Sequence, residues 1–509
     1  MSSTDGVIGD VEVPSTTVIR RGSSDQTSRC NYTPQETIIS VEERNFHLSN
    51  SELEKLGSLE QALDADSTAQ PLIQRVPSIL ARKKDFHKYF RPKMIAIGPL
   101  HHDDPDLQKA EKLKHKLAAY FIKEHGLEKE MLYSKIKMEI GNLKKCYNPK
   151  EIEQYYDDDE KLSWMFFLDG CALLQAIYLF HAPDKEVAKK ELRDLNIKSD
   201  LLTTVYVDFF LLENQIPYRV LDLLTSSSCN HGEQFKESIG KFIDGNVMTR
   251  AEKKKECRRL KQIEKKGKKR QKPEQKREPP HLVHLLRERL VDKDPRHGDW
   301  GYGCRRLSNY ILRKRKHMSG GHPHTVRNVK ELREAGIWFT PSETSYLKDI
   351  SFNRICFVGK LHLPTITVDD STGPKFMNLI AYEMCPDFDN DFTVMSYICF
   401  LDALIDEAED VKALRDADVL HNALGSDEEV AKLFNKMNTD LVNTRLIYDQ
   451  VREQIQNHCR NRWINYAAQA YHTHFTSPWT FLAFAGAIAA LALSAVQTYY
   501  SILQSRKES

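Results

Sequence analysis

The sequence predicts a mainly α-helical fold with a minor antiparallel β-hairpin, an α+β arrangement in which one large helical domain is followed by a single C-terminal transmembrane helix. Three observations predict it. Apolar residues recur at three- and four-residue spacing through most of the chain, the period of one helix face. Strand-like runs are few, and the clearest pair lies near Phe352–Val368. No Asp, Glu, Lys or Arg stands between Arg462 and Arg506, a stretch that contains the apolar run Trp479–Leu503. Of 509 residues, 40% are hydrophobic and 29% charged, which excludes a wholly disordered chain and a many-span membrane protein. Lys and Arg number 74 against 72 Asp and Glu, a formal charge of +2, so an anionic partner would have to be met by a local patch.

Positions 1–68 read as a polar, disordered tail in which apolar residues are isolated. No charged segment leads into an apolar run there, so no secretory signal is expected. Leu53, Leu56, Leu59 and Leu63 share one helical face and predict a short helix over 49–63. Positions 69–230 form the N-terminal helical half. Pro71–Pro77 is extended, because residues before proline avoid the helical region. Met94–Ile97 is strand-like and ends at the Gly98-Pro99 turn. Asp104 before Pro105 predicts a capped helix start, with Leu107, Ala110, Leu113, Leu117, Tyr120 and Phe121 as its stripe. Another helix follows over Leu127–Lys145. Trp164–Phe180 is almost wholly apolar, yet it is shorter than the ~20 residues a bilayer needs and carries Asp169, so it reads as a buried core helix. Asp200 caps a helix Leu201–Leu212, Glu213–Ile216 breaks it, and Pro217 opens the next.

Positions 231–280 read as a basic, disordered insertion. Within it, Arg250–Glu278 holds 15 Lys or Arg against 5 Glu, a local excess of ten positive charges. Its runs Lys253–Lys255 and Lys265–Arg270 read first as a solvated charge run, and next as a surface for anionic lipid, phosphate or an import receptor. No aromatic residues interleave for base stacking, so no specific nucleic acid partner is expected. Positions 281–470 form the C-terminal half: a helix from His281 to Leu290, a hairpin turning at Gly359, and a helix over Thr372–Met384. Leu401, Leu404, Ile405, Ala408, Val411 and Leu414 then make one helical stripe, and helices over Glu428–Leu433 and Leu441–Trp463 follow. Positions 504–509 are a short tail.

The run Trp479–Leu503 is 25 residues long. At about 1.5 Å per residue it spans roughly 37 Å, enough for a hydrocarbon core of about 30 Å. Trp479 at one end and Tyr499-Tyr500 at the other fit interfacial belts, and Arg506-Lys507 would stop the span. The competing reading is a buried Ala-rich helix, since Ser494, Gln497 and Thr498 are polar. The expectation is a single-pass protein of the plasma membrane or an endomembrane, inserted after synthesis, with its large domain in the cytosol.

The chemistry-bearing signals are sparse. Phosphate-loop, dinucleotide, zincin and nucleophile-elbow patterns are absent, and no two of the ten cysteines form C-x-x-C. The thiols read as reduced. His101-His102-Asp103-Asp104 has ligand chemistry, but adjacent side chains rarely converge on one ion, so packing at the turn is the plainer reading. His281 and His284 lie one helical turn apart without a third ligand nearby. Asp169, Asp208 and Glu213 are acids within apolar runs, where burial raises a carboxyl pKa. The stronger account is structural, since at a helix break such side chains satisfy orphan backbone groups. No catalytic, cofactor or metal residue is assigned, and no cofactor is expected.

A set of segments stands in a telling order: Ile73–Pro77, Ile95–His102, Glu111 with Lys112, Leu168–Cys171, Phe210–Pro217, Glu331–Gly336, Asn378–Glu383, Leu424–Val430 and Ser477–Trp479 before the apolar tail. Together, over roughly Pro71–Leu503, they resemble the plant domain-of-unknown-function family numbered 247. The resemblance implies a plant protein with one large helical domain and a C-terminal membrane segment, and no established activity or catalytic residues. Some members are linked to pollen–stigma self-incompatibility in grasses, which implies a recognition role. The chain departs from the family in its basic insertion and at Tyr382-Glu383-Met384, where a Phe-Glu-Gln sequence is more usual. The expected function is thus a membrane-anchored protein-interaction component, not an enzyme. It would meet the membrane through Trp479–Leu503, an unknown protein partner, and anionic lipid at Arg250–Glu278. One alternative is an uncharacterised hydrolase or transferase using His102 with Asp169 or Glu213; another is a nuclear protein directed by the basic insertion.

Overall fold

A computed structural model describes residues 71–82, 84–124, 126, 128–181, 185–226, 232–247, 278–291, 327–355, 358–389, 391–438, 441, 447–460 and 478–505, and, nearer the start, positions 49, 51, 55 and 56. The chain divides into Met1–Asp66 and Ser67–Ser509. In the first unit, Ser51, Lys55 and Leu56 are helical, within the short helix expected there; the rest of that helix, and the expected tail, lie outside the described residues.

The second unit is mainly helical, as the apolar spacing demands. Its centre is α1 (Asp159–His181), the helix expected from Trp164–Phe180. Of the apolar window in this helix, 89% is buried within the protein, so its hydrophobicity serves the core. Around it pack α2 (Glu111–Glu124), α3 (Lys129–Lys144), α4 (Tyr218–Ser226) and α5 (Gly232–Val247). The last of these corrects the expected insertion: Phe235, Ile239, Phe242 and Ile243 form an i, i+4, i+7, i+8 stripe that is buried. Positions 250–277 of the basic stretch lie outside the described residues.

A helix α6 (Leu282–Val291) touches both α5 and α7 (Thr372–Glu383), so the two halves share one hydrophobic core. Beyond it α8 (Thr393–Leu404), α9 (Ala408–Asp416) and α10 (Asp427–Asn438) pack together, and α11 (Asp449–Arg460) follows. The stripe Leu401–Leu414 is therefore two helices, not one. The chain breaks at Ile405–Glu407, where the Asp410 carboxylate accepts the N–H groups of Asp406 and Glu407 and the Glu407 side chain completes a capping box.

The expected hairpin forms from β2 (Ser351–Ile355) and β3 (Val358–Leu363), antiparallel, with Ile355 opposite Val358. Gly359 is paired with Arg354 within the ladder and does not make the expected reversal. Gly359 lies inside β3, where a Cβ would stand 2.8 Å from the Phe352 ring. A strand that the sequence reading passed over, β1 (Ile337–Pro341), pairs parallel to β3 and makes the order β1-β3-β2. A second small sheet pairs β4 (Ile366–Val368) parallel to β5 (Leu420–Asn422).

Three local expectations fail for identifiable reasons. Met94–Ile97 is irregular rather than a strand. The chain at Asp104 forms a turn in which its carboxylate accepts the Asp106 N–H at 3.1 Å, and the helix begins only at Glu111. The helix expected to reach Leu212 covers Ser199–Asp208. In the first case the Asp208 carboxylate takes the place of a strand partner; in the third, Asn378 accepts the Leu212 N–H and the Gln215 amide donates to Phe209 O and Leu211 O, so side chains replace the helical pairing.

At the far end α12 (Pro478–Ser505) is one continuous helix. Like α1 it is long and apolar enough to cross a bilayer, but none of its apolar stretch Leu482–Ser501 is buried.

Candidate functional site

The buried polar residues converge on the segment 93–98. The backbone N–H groups of Lys93, Met94 and Ile95 donate to Asp208 at 2.7–3.1 Å. Asn214 accepts the Ile97 N–H at 2.7 Å and returns its own amide to Ile95 O at 3.0 Å. Asp169 accepts the Gly98 N–H at 2.8 Å. A neighbouring strand would ordinarily supply such partners; here side chains at the end of one helix and the middle of another supply them. Gly98 has φ 77°, and a Cβ on it would come within 2.5 Å of Gln215 O, so only glycine fits.

The charges in this cluster are matched. Lys114, 1% exposed, sits 2.7 Å from Asp169 and 2.6 Å from Glu111. Burial alone would lower its ammonium pKa, but the two carboxylates overcome that and hold it above the ordinary lysine value. Burial pushes Asp169 up, against the pull of Lys114 and the Gly98 N–H. Burial likewise raises Asp208, opposed by its three backbone donors. For Glu213, burial would raise the carboxyl, but His101, the Val76 N–H and Arg75 outweigh it and the pKa is lowered. The Glu213 carboxylate lies 2.9 Å from His101 Nε2, 3.6 Å from Arg75 and 2.9 Å from the Val76 N–H.

The side chains of the 101–104 run diverge. His101 meets Glu213, Asp103 accepts the Tyr155 hydroxyl, and Asp104 lies 3.5 Å from Arg91. The pairing expected of an enzyme, His102 with Asp169 or Glu213, is not formed. The His102 ring stands nearly perpendicular to that of Tyr155, and its carbonyl accepts from Gln108 Nε2 at 2.7 Å. The gap beside the cluster, bounded by Leu173, Phe209, Asn214 and Gln215, is too tight for a water molecule.

A second buried network lies where the halves meet. His284 Nδ1 is 2.7 Å from the Tyr382 hydroxyl, and the His281 and Tyr382 rings stand edge to face at 4.9 Å. Arg287 donates to Glu383 at 2.8 Å, and Glu383 accepts the Val394 and Met395 N–H groups, each at 2.9 Å. Burial raises Glu383 despite the pull of Arg287 and its two N–H donors, whereas Glu383 and Asp391 overcome burial and hold Arg287 above its ordinary value. Asn378 accepts the Leu212 N–H and donates to Tyr89 O and Pro374 O. Gln215 accepts the Val283 N–H at 3.3 Å. Lys114, Arg287 and Asn378 are residues of these networks that residue chemistry did not single out; Asn378 carried a signal, a lone polar residue in the apolar run Phe376–Tyr382, whereas Lys114 and Arg287 stand among other charged residues and carried none. His281 and His284 face Tyr382, and no group of three or more metal-ligating side chains exists among the described residues. His322 and His324 lie outside them.

What these networks do chemically is hold backbone. The remaining feature of note is the exposed apolar surface of α12: Leu491 and Leu493 are 72% and 70% exposed, and Leu482, Ile488, Val496 and Tyr500 are exposed beside them. Thr498 returns its hydroxyl to Ser494 O at 2.8 Å, so one of the polar groups in the run is satisfied within the helix.

The chain is similar to a UPF0481 protein of Arabidopsis thaliana, 26% identical over 436 residues, which cover 82% of this chain and 83% of the relative. A putative UPF0481 protein of the same plant is 28% identical over 182 residues, 36% of this chain and 34% of that one. No solved structure matches it. The profile of the DUF247 family, plant proteins of unknown function, matches residues 73–493, and the chain therefore belongs to that family.

Proposed function

We propose that this protein is a membrane-anchored interaction component whose helical domain is a scaffold for recognition and not a catalyst. The observation that carries the reading is α12, a 28-residue helix with no charged side chain and none of its apolar window buried by the domain. Water would be a poor solvent for such a surface, whereas a bilayer satisfies it without further partners. The comparison with α1 supports this, because α1 has similar hydropathy but spends it on the core. The scaffold reading is supported by the buried carboxylates, each of which is engaged by backbone N–H groups or a cation. Specificity for a partner then falls to surface residues, and the anchor raises the partner's effective concentration at one membrane.

The test is alkaline carbonate extraction of the full-length chain from plant membranes, followed by protease treatment of sealed vesicles with a tag on each end. Retention in the pellet, release by detergent and protection of only one tag are expected. Recovery of the intact chain in the carbonate supernatant would overturn the anchor.

A further inference from the structure

The β1-β3-β2 sheet presents one face to the core and the other outward. Ile337, Phe339, Phe352, Leu361 and Leu363 point inward and are buried. Register places Trp338, Lys360 and Asn353 in one outward row, with Val358 beside Ile355 in the next. On the other side, Thr340, His362 and Ser351 make a third row, in which the Thr340 hydroxyl lies 2.9 Å from His362 Nδ1. One corner of the face is therefore apolar: Trp338 is 46% exposed, Ile355 58% and Val358 38%. These three rows carry a lysine and a histidine and no carboxylate.

The path of the chain indicates what covers this corner. Helix α11 packs along β2, with the His458 ring 5.6 Å from that of Phe352 and His458 Nε2 3.1 Å from Ala335 O. Ala335 and Gly336 lead into β1, and Gly336 O accepts the Gly359 N–H at 3.0 Å. The end of α11, the start of β1 and the corner Ile355–Val358 thus share one end of the sheet. Arg460 closes α11, and positions 461–477 then connect it to the apolar helix that begins at Pro478.

Resting on the anchored reading above, we propose that the Trp338–Ile355–Val358 corner is a membrane contact, which seats the domain on the phospholipid surface that holds its own C-terminal helix. An indole suits that depth, with its ring among the upper acyl chains and its N–H among the headgroups. Lys360, in the same row as Trp338, is placed to meet phosphate oxygens, and the lack of carboxylates on this face removes repulsion from anionic lipid. Fully extended at about 3.5 Å per residue, the 461–477 link reaches at most roughly 60 Å. The corner is thereby confined near one bilayer, so shallow insertion of three side chains is enough to orient the domain.

The experiment uses the full chain reconstituted in vesicles of phosphatidylcholine and phosphatidylserine, with the photoreactive residue p-benzoylphenylalanine placed singly at positions 338, 355, 488 or 138. Position 488 reports the anchor, and 138, held by the exposed Met138 on α3, is a surface control. Lipid adducts at 338, 355 and 488 but not at 138 are expected. With the same probe at position 358, lipid adducts form in the otherwise unchanged chain and fall several-fold in a Trp338→Ser, Ile355→Ser double variant, while those from 488 stay unchanged. Adducts at 488 without lipid adducts at 338 and 355, or adducts at 338 and 355 to a second copy of the chain, overturn the seating and leave the anchor standing. Loss of lipid adducts at 488 as well removes both.

Discussion

Asn378 Oδ1 accepts the Leu212 N–H at 2.8 Å across 166 positions of sequence, and the same side chain donates to Tyr89 O at 2.8 Å. One buried amide thus ties α7 to two segments of the N-terminal half. Asn378→Ala leaves the Leu212 N–H and the Tyr89 carbonyl without these partners inside the core, and is expected to cost about 3 kcal/mol of stability. Asn378→Asp is not expected to restore it, because a carboxylate cannot donate to Tyr89 O. Urea unfolding of the purified full-length chain in detergent checks both.

Asp208 replaces a strand partner for Lys93, Met94 and Ile95. Asp208→Ala is expected to destabilise by about 3–5 kcal/mol, since three N–H groups lose their acceptor together. Hydrogen exchange localises the effect: amides 93–95 should lose protection before the ends of α1 do.

Gly98→Ala places a methyl group 2.5 Å from Gln215 O at a φ of 77°. The backbone must shift, and with it the Tyr147 hydroxyl that donates to Gln215 O at 2.8 Å. A loss of at least about 2 kcal/mol is expected, larger than for an ordinary exposed glycine. Thermal unfolding beside Gly126→Ala, which has φ 59° but nothing within 4 Å, separates the steric cost from the conformational one.

Burial, with the neighbouring His284 second, holds the His281 imidazole well below its ordinary value of 6.5. The unfolded chain takes up a proton as the pH falls past 6.5, and the folded chain resists it. The stability contributed by neutral His281 is therefore full above that pH and is lost as pH falls towards the depressed folded value. The slope from this one group is at most about 1.4 kcal/mol per pH unit. His281→Phe is expected to flatten the acid side of a stability-against-pH profile below about pH 6.5. An unchanged slope would show that this imidazole does not titrate differently in the two states.

Leu491 stands near the middle of the α12 apolar window and is exposed. Leu491→Arg adds about 2.5–3.5 kcal/mol to the cost of insertion. A shift of the full chain from the carbonate pellet to the supernatant is expected, with the domain's own unfolding midpoint unchanged.

The strand that proved irregular shows where local reading ends. Met94-Ile95-Ala96-Ile97 has the composition of a strand, but its donors are taken by Asp208 and Asn214, more than a hundred positions away. No property of the four residues announces that. The adjacent histidines are a second case. Either His101 or His102 satisfies the chemistry of pairing with Glu213, and the turn at Gly98-Pro99 selects His101. Strand β1 was legible after the fact, since inward Ile337 and Phe339 alternate with outward Trp338 and Thr340, but five residues of alternation are short beside the helical signal around them.

The sequence by itself determined the helical class, the buried helix around Asp169, the hairpin, the apolar C-terminal run and the family, because each depends on periodicity, length or ordered local patterns. Only the tertiary structure decided which carboxylate meets which backbone segment, that α5 belongs to the core, and that three apolar side chains share one corner of the β1-β3-β2 sheet. Those facts depend on pairings between distant segments, and a buried donor or acceptor is satisfied by whichever partner the fold brings within hydrogen-bond reach, whatever its place in the chain.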